Sequence, residues 1–326
     1  MTPPGTGPEA GPSIGPNVWP EPWPDAAPEP WPEPRPEPGL PGEAGLFDAV
    51  DVERAPADGP AAFGGTLEPE TILAAYRRGL FPLPAADEYA SAFNEARYED
   101  AVAAGEVALL PGPGHQDPYA LAWWSPDPRP VIAPEQVRLG RKLARLLRNR
   151  LGWWTTADRA FEEVLAACAE GREPPWLTAG LQDALARLHR LGAAHSAEVW
   201  EGEELVGGVF GIVAGPVLSL DSMFHRRPDA ARVAVADLAA RFAAAGGRLL
   251  DAQWDSPHVR TLGATSAPRA HYLAELARPA GTEPLDTGAH PAARLTPKLP
   301  RHGHGHGHGH GHGHGGGHGH GDRHRG

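Results

Sequence analysis

Two acids and an amide stand where apolar residues are expected. In "LLDAQW" (249–254), strand alternation puts Leu250, Ala252 and Trp254 on one face and Asp251 and Gln253 on the other. Strands are normally poor in Asp. Asp221 lies near the end of another apolar run, "VLSLDSMF" (217–224). Taken singly, each acid also reads as a turn cap or an acceptor of backbone N–H groups. Taken together with Gln253 in an apolar sheet, they read as a site. If the two strands are neighbours, the two acids and Gln253 can face one cleft.

Arginines give a second signal. In "PEQVRLGRKLARLLRNR" (134–150), Arg138, Arg141, Arg145 and Arg148 recur at steps of three, four and three, so a helix would line them on one face. No acid is interleaved from Gln136 to Ala157, so pairing within the helix does not explain them. A solvated face is the plain reading. Phosphate binding is the functional one, each neutralised phosphate releasing counterions. A third, weaker signal is aromatic. The Trp residues of "WWSPDPRP" (123–130), Trp176 and Met223 can wall an apolar pocket or simply pack a core.

The elements that must hold these residues follow from periodicity. "LEPETILAAYRRGLFP" (67–82) reads as a helix opened by Pro69 and closed by Gly79. Residues 134–150, 157–169 and 177–192 read as three more. The period then changes from 3.6 to 2: 195–200, 205–214 and 217–224 read as an antiparallel meander. A helix through "PDAARVAVADLAARFAAAGG" and the strand at 249–254 follow. This is an α+β plan. Residues 1–62 form a Pro- and Trp-rich tail, expected to be disordered, whose Trp19, Trp23 and Trp31 offer a docking alternative. Residues 63–133 form a small N-terminal domain with an acidic insertion at 84–120, read as a loop with room for a short helix. Residues 134–280 form the main domain. Residues 281–326 are a second tail, His/Gly-rich from His302, which can bind Ni or Zn adventitiously.

Composition narrows the function classes. The formal charge of −12 is concentrated in 1–62 and 84–120; the rest carries a net of about +3 and suits an anionic partner. Cys168 is the single cysteine, so no intramolecular disulfide exists. No secretory leader and no membrane-length apolar run is read, which points to the cytoplasm. No P-loop is present.

Seven ordered stretches resemble the leucyl/phenylalanyl-tRNA–protein transferase family: "LEPETILAAYRRGLFP", "WWSPDPRP", "WLT", "LHRLGAAHSAEVWEGEELVGGVFG", "DSMFHRRPDA", "LLDAQW" and "PHVRTLGATSAPRAHYL". They cover roughly 63–83 and 122–276. The resemblance implies a small N-terminal α/β domain and a larger GNAT-like α+β domain. It implies an aminoacyltransferase that moves Leu, Phe or Met from charged tRNA to the N-terminal Arg or Lys of a protein, marking it for N-end rule degradation. No metal or nucleotide cofactor, no membrane and no second subunit is implied. Asp251 and Gln253 match the family's catalytic pair, with Asp221 holding an amine or the acceptor's cationic end. Trp176, Met223, Val209, Val235 and Leu83 match its amino-acid pocket, and Arg141, Arg145 and Arg148 its tRNA-binding patch. Several positions depart from the pattern. Asp221 stands where Glu is usual, Leu220 where a small residue is usual, Leu83 for Trp and Arg232 for Lys, and the usual acid is missing after Gly64-Gly65.

Three rivals remain at this stage. A GNAT acyltransferase using acyl-CoA would carry a Gly-bearing pyrophosphate loop, where this chain has "HRRPDAAR". A non-catalytic tRNA-binding relative is compatible with the changes at 220 and 221. A metal-storage or chaperone role would run through the His-rich tail.

Overall fold

The computed structural model describes residues 45–112, 117–171, 175–279 and 283–296. The readings of Trp19, Trp23 and Trp31 and of the His/Gly run lie outside these residues. Folding starts earlier than composition suggests. Phe47 and Val50 are buried, and the Phe47 ring meets Trp123 edge-on at 5.0 Å. A Pro-rich sequence gives no periodic pattern, so this anchoring is invisible until its partner is known.

The first sheet is built from β1 (Pro60–Gly64), β2 (Phe81–Pro84), β3 (Ala108–Leu110) and β4 (Leu121–Trp124), in the order β2-β4-β1-β3. Between β1 and β2 runs α1 (Pro69–Arg77), with Pro at its start and Ile72, Ala75 and Tyr76 on its buried side. The acidic insertion is not a loop. It holds α2 (Glu88–Ala103), a helix of 16 residues capped by Asp87, whose side chain accepts from Ala90 N. Only Ser91 of α2 is buried, so no apolar stripe announces it.

A larger sheet follows: β5 (Arg129–Ile132), β6 (Trp153–Ala157), β7 (Ala194–Glu201), β8 (Glu204–Ala214), β9 (Val217–Ser219), β10 (Ser222–His225), β11 (Leu249–Asp251), β12 (Thr265–Ala267) and β13 (His290–Pro291). Its order is β12-β5-β11-β9-β8-β7-β6-β13, with β10 also on β8. The helices are α3 (Arg141–Asn149), α4 (Phe161–Ala169), α5 (Ala179–Arg190), α6 (Ala230–Ala244), α7 (Pro257–Leu262) and α8 (Arg269–Leu276). The class is mixed α+β, as the change of period indicates. No helix among the described residues is long and apolar enough to cross a membrane.

The sheet separates two apolar clusters. Alternation along β8 sends Phe210 and Ile212 into one, shared with α1, α4 and α5, and Val209 and Val213 into the other, beneath α6, and a register shift against β7 puts Val206 there too. Residues 283–296, expected to belong to the second tail, are folded: His290 pairs with Thr155 through β13 and β6. A buried knot holds them. Asp237 accepts from Thr155 Oγ1 at 2.6 Å, Arg241 Nε at 2.5 Å and Arg294 Nη2 at 2.6 Å. Arg241 also donates to the carbonyls of Asp286 and Gly288. This attachment is polar, so hydropathy does not show it.

Candidate active site

The run 217–224 is not one strand. β9 ends at Ser219 and β10 starts at Ser222, and the two residues between change partner. Leu220 N donates to Asp251 O at 2.7 Å, while Asp221 N donates to Phe210 O at 3.1 Å. The chain thus leaves β11 for β8 at this step. Gly211 permits the close approach, since a Cβ there would lie 1.7 Å from Ser219 O. Asp221 is therefore held at a strand break, beside the end of β11.

β11 stops at Asp251, so strand alternation does not bring Gln253 to the site. Gln253 has φ +58°, in the left-handed region, and Trp254 N returns to Ala252 O at 2.6 Å. Such a backbone costs a non-glycine residue on the order of 1 kcal/mol and persists where its surroundings enforce it. Here Asp251 enforces it, its Oδ1 accepting from Gln253 N at 2.9 Å. The turn carries the carboxamide to Asp221: Gln253 Nε2 donates to Asp221 Oδ1 at 2.6 Å and to Ser219 Oγ at 2.9 Å. Both amide hydrogens are then used, which leaves Oε1 to meet a ligand as an acceptor.

Two residues that the sequence did not single out complete the cluster. Tyr76, from α1, donates its phenol to Asp221 Oδ1. Burial first, and then the neighbouring Asp221, hold its pKa well above the ordinary tyrosine value, so it remains a donor. Arg129, on β5, is completely buried and grips Asp251 in a fork, Nε to Oδ1 at 2.8 Å and Nη2 to Oδ2 at 2.6 Å. Asp251 faces Val131 across the strands, so Arg129 is its diagonal neighbour on the same face. The guanidinium is stacked between Phe81 and Tyr272, 4.9 Å and 4.5 Å from the ring centres.

Asp221 is the electrostatically unusual member. Its Oδ2 is buried with no hydrogen-bond partner among the described residues. Burial raises its pKa to about 7, against the opposing hydrogen bonds from Tyr76 and Gln253. A carboxyl with a folded pKa above its unfolded value takes up a proton on folding between about pH 4 and pH 7. Its stabilising effect is complete at low pH and lost as pH rises through 7. Asp221→Asn is therefore expected to raise the melting temperature at pH 8, by an amount that shrinks as pH falls toward 4. Thermal denaturation across this range checks it; an equal shift at every pH contradicts it.

The remaining sequence candidates fall as follows. Val209, Val235 and Met223 belong to the cluster beneath α6, Met223 opposite Val209 in register and two residues from Asp221. Trp176 and Leu83 pack against the other cluster, so the sheet divides this proposed pocket set. Trp254 is partly exposed and meets Trp124 and Phe81 edge-on at 5.2 and 5.5 Å, forming an aromatic rim beside Gln253. The basic helix starts later than its sequence pattern. Gly140 has φ +81° and α3 begins at Arg141, so Arg138 leaves the shared face. Arg141 and Arg145 are exposed and Arg148 is half-buried, and none of the three makes an ion pair among the described residues. Leu143 and Leu147 seat α3 on the α6-side cluster. No group of three or more His, Cys, Asp or Glu among the described residues is arranged to hold a metal ion.

Comparison with known proteins bears on the same residues. A family described as leucyl/phenylalanyl-tRNA protein transferase matches residues 131–277, from β5 to the end of α8. The protein of that name from Chromohalobacter salexigens is 40% identical over 237 residues, 72% of this chain and 80% of its own. Those from Aromatoleum aromaticum and an Anaeromyxobacter strain are 39% and 38% identical over 243 and 252 residues. These matches cover 73% and 74% of this chain, and 89% and 94% of theirs.

Proposed function

We infer the chemistry of the site from one premise: the chain belongs to the leucyl/phenylalanyl-tRNA–protein transferase family. It is an aminoacyltransferase that moves Leu or Phe from aminoacyl-tRNA to the N-terminal Arg or Lys of a protein, the step that marks the acceptor in the N-end rule pathway. Met is a third donor in this reading. The carrying observation is the meeting of Asp221 and Gln253, both inside the matched region, with Tyr76 at the strand break.

The donor is an ester and already activated, so the reaction needs no nucleotide cofactor. The nucleophile is an α-amine with an ordinary pKa near 8, so about a tenth of it is neutral at pH 7. What the protein must supply is position and a path for one proton. Gln253 Oε1, its amide fixed by Asp221 and Ser219, accepts a hydrogen bond from the attacking amine. Asp251 acts through the backbone, holding the turn that aims Gln253. Asp221 holds the amine end of a substrate. Its one-methylene shortening from the usual Glu is matched by the Tyr76 phenol and Gln253 amide closing on Oδ1. Trp176 and Leu83, on the Tyr76 side of the sheet, wall the donor side-chain pocket, and Met223, Val209 and Val235 back it from the α6 side. An apolar pocket of this kind separates Leu from Phe weakly.

In this reading the larger sheet is GNAT-like: an antiparallel set β6-β7-β8-β9, the helix α6, then β11 parallel to β9. Acyl-CoA is disfavoured because α6 opens at Asp229, a carboxylate where a pyrophosphate would need N–H groups and no negative charge. The protein works as a cytoplasmic monomer without a membrane partner, and the His/Gly run is accessory.

Arg141, Arg145 and Arg148 carry tRNA phosphates. Replacing all three by Ala is expected to weaken binding of Leu-tRNA and to reduce the slope of log affinity against log salt by roughly two to three, while kcat holds. Filter binding from 50 to 300 mM salt reads this; an unchanged slope removes the patch from the interface. The activity itself is tested with radiolabelled Leu-tRNA and Phe-tRNA and peptides led by Arg, Lys or Ala. Acid-stable label is expected on the first two peptides only. Label on none, or on all three equally, contradicts the assignment.

A further inference from the structure

We propose that Asp221 takes the proton released as the α-amine attacks the ester, and that Asp251 is a strut that does not touch substrate. The proposal rests on the transferase reading above and divides the labour between its two carboxylates.

Asp251 is engaged on both oxygens. Its side chain is fully enclosed, Oδ1 accepts from Arg129 Nε and Gln253 N, and Oδ2 accepts from Arg129 Nη2. Its fork with the buried Arg129 guanidinium fixes the side chain in place. A carboxylate clamped in this way is a good anchor. Asp221 is the reverse. No cation pairs with it among the described residues. Tyr76 and Gln253 both donate to Oδ1, and Oδ2 is enclosed and empty-handed. An unsatisfied buried carboxylate oxygen is costly, and an amine N–H arriving at the strand break supplies the missing donor.

The groups facing Asp221 fit the role. From α1 comes the Tyr76 phenol, from β8 the Ile212 backbone, and from the turn after β11 the Gln253 amide, itself tied to Ser219 Oγ of β9. Behind Gln253 stand the Asp251 charge, its Arg129 partner and Tyr272. Burial dominates, and the Asp251 charge adds to it, so Asp221 titrates near neutrality, where a group can both take and return a proton.

The step balances. The neutral amine nitrogen bonds to the ester carbonyl carbon and gives one proton to Asp221 Oδ2. The bond from that carbon to the ribose oxygen breaks, and the ribose oxygen receives the proton from Asp221. The products are an amide and a free tRNA hydroxyl, with Asp221 again a carboxylate.

The test is the pH dependence of kcat at saturating Leu-tRNA and Arg-led peptide, from pH 5.5 to 9. In the wild-type protein two ionisations, the amine's and that of Asp221, shape the acidic limb, so log kcat falls with a slope approaching two. Asp221→Asn is expected to lower kcat at pH 8 by about a hundredfold or more, to leave Leu-tRNA affinity within threefold, and to reduce the slope to one. Tyr76→Phe removes a donor that holds the Asp221 pKa down, so the limb should move to higher pH. The neutral pair Arg129→Gln with Asp251→Asn should keep the slope of two. A slope of two in Asp221→Asn, a rate within threefold of wild type, an unmoved limb in Tyr76→Phe, or a slope of one in the neutral pair would each overturn the assignment. If the wild-type protein transfers no label at any pH, the transferase reading itself has failed.

Discussion

Asp251→Asn loses about 3–5 kcal/mol of stability in this account, because it leaves the fully buried Arg129 without its countercharge. The variant also slows transfer, since an Asn amide cannot accept the whole Arg129 fork and so no longer fixes the oxygen that holds the Gln253 turn. The family resemblance gives Asp251 a catalytic role, in which Asn cuts turnover and tRNA binding survives. The fork from Arg129 changes that expectation, so turnover and stability must be measured on the same samples. Urea denaturation of Asp251→Asn, Arg129→Gln and the double variant separates the terms. The double variant is expected to recover a large part of the stability that either single change loses. If both single variants stay within 1 kcal/mol of wild type, the pair is not the strut described here.

Gln253→Ala produces the largest expected loss with the fold intact. The amide orients the attacking amine and satisfies one side of Asp221, and loss of one such positioned polar group costs about 10²–10³-fold in kcat. The backbone strain at φ +58° is borne by Ala as by Gln, so the melting temperature should move by only a few degrees. Leu-tRNA affinity should hold, since the phosphate contacts assigned to α3 lie elsewhere. A KM effect without a kcat effect would reassign Gln253 to substrate binding.

Much of the plan was legible. The change from helical to strand period marked the α+β class, and polar residues inside apolar runs marked Asp221, Asp251 and Gln253, which the structure brings together. The reason offered for Gln253 was wrong in detail. Alternation predicts a continuing strand, whereas β11 ends and a left-handed turn, held by Asp251, carries the amide across. Arg129 and Tyr76 were missed because each has a bland local explanation. Arg129 sits in "DPRP", which reads as a loop, and Tyr76 on the apolar stripe of α1. A buried strand carrying one Arg, followed far along the chain by a strand carrying one Asp, was the available signal. The start of α3 was placed too early because Gly140 interrupts the arginine pattern without breaking its spacing. α2 was obscured by the lack of an apolar stripe, and residues 283–296 by an attachment made of ion pairs and backbone carbonyls.

The most direct measurement is single-turnover transfer of labelled Phe from tRNA to an Arg-led peptide, run in parallel with wild type and Gln253→Ala at enzyme concentrations that bind all the tRNA. The account predicts rapid acid-stable labelling of the peptide by wild type, and labelling at least a hundredfold slower by the variant with its tRNA still bound. Equal rates for the two proteins, or no peptide labelling by wild type, would contradict it.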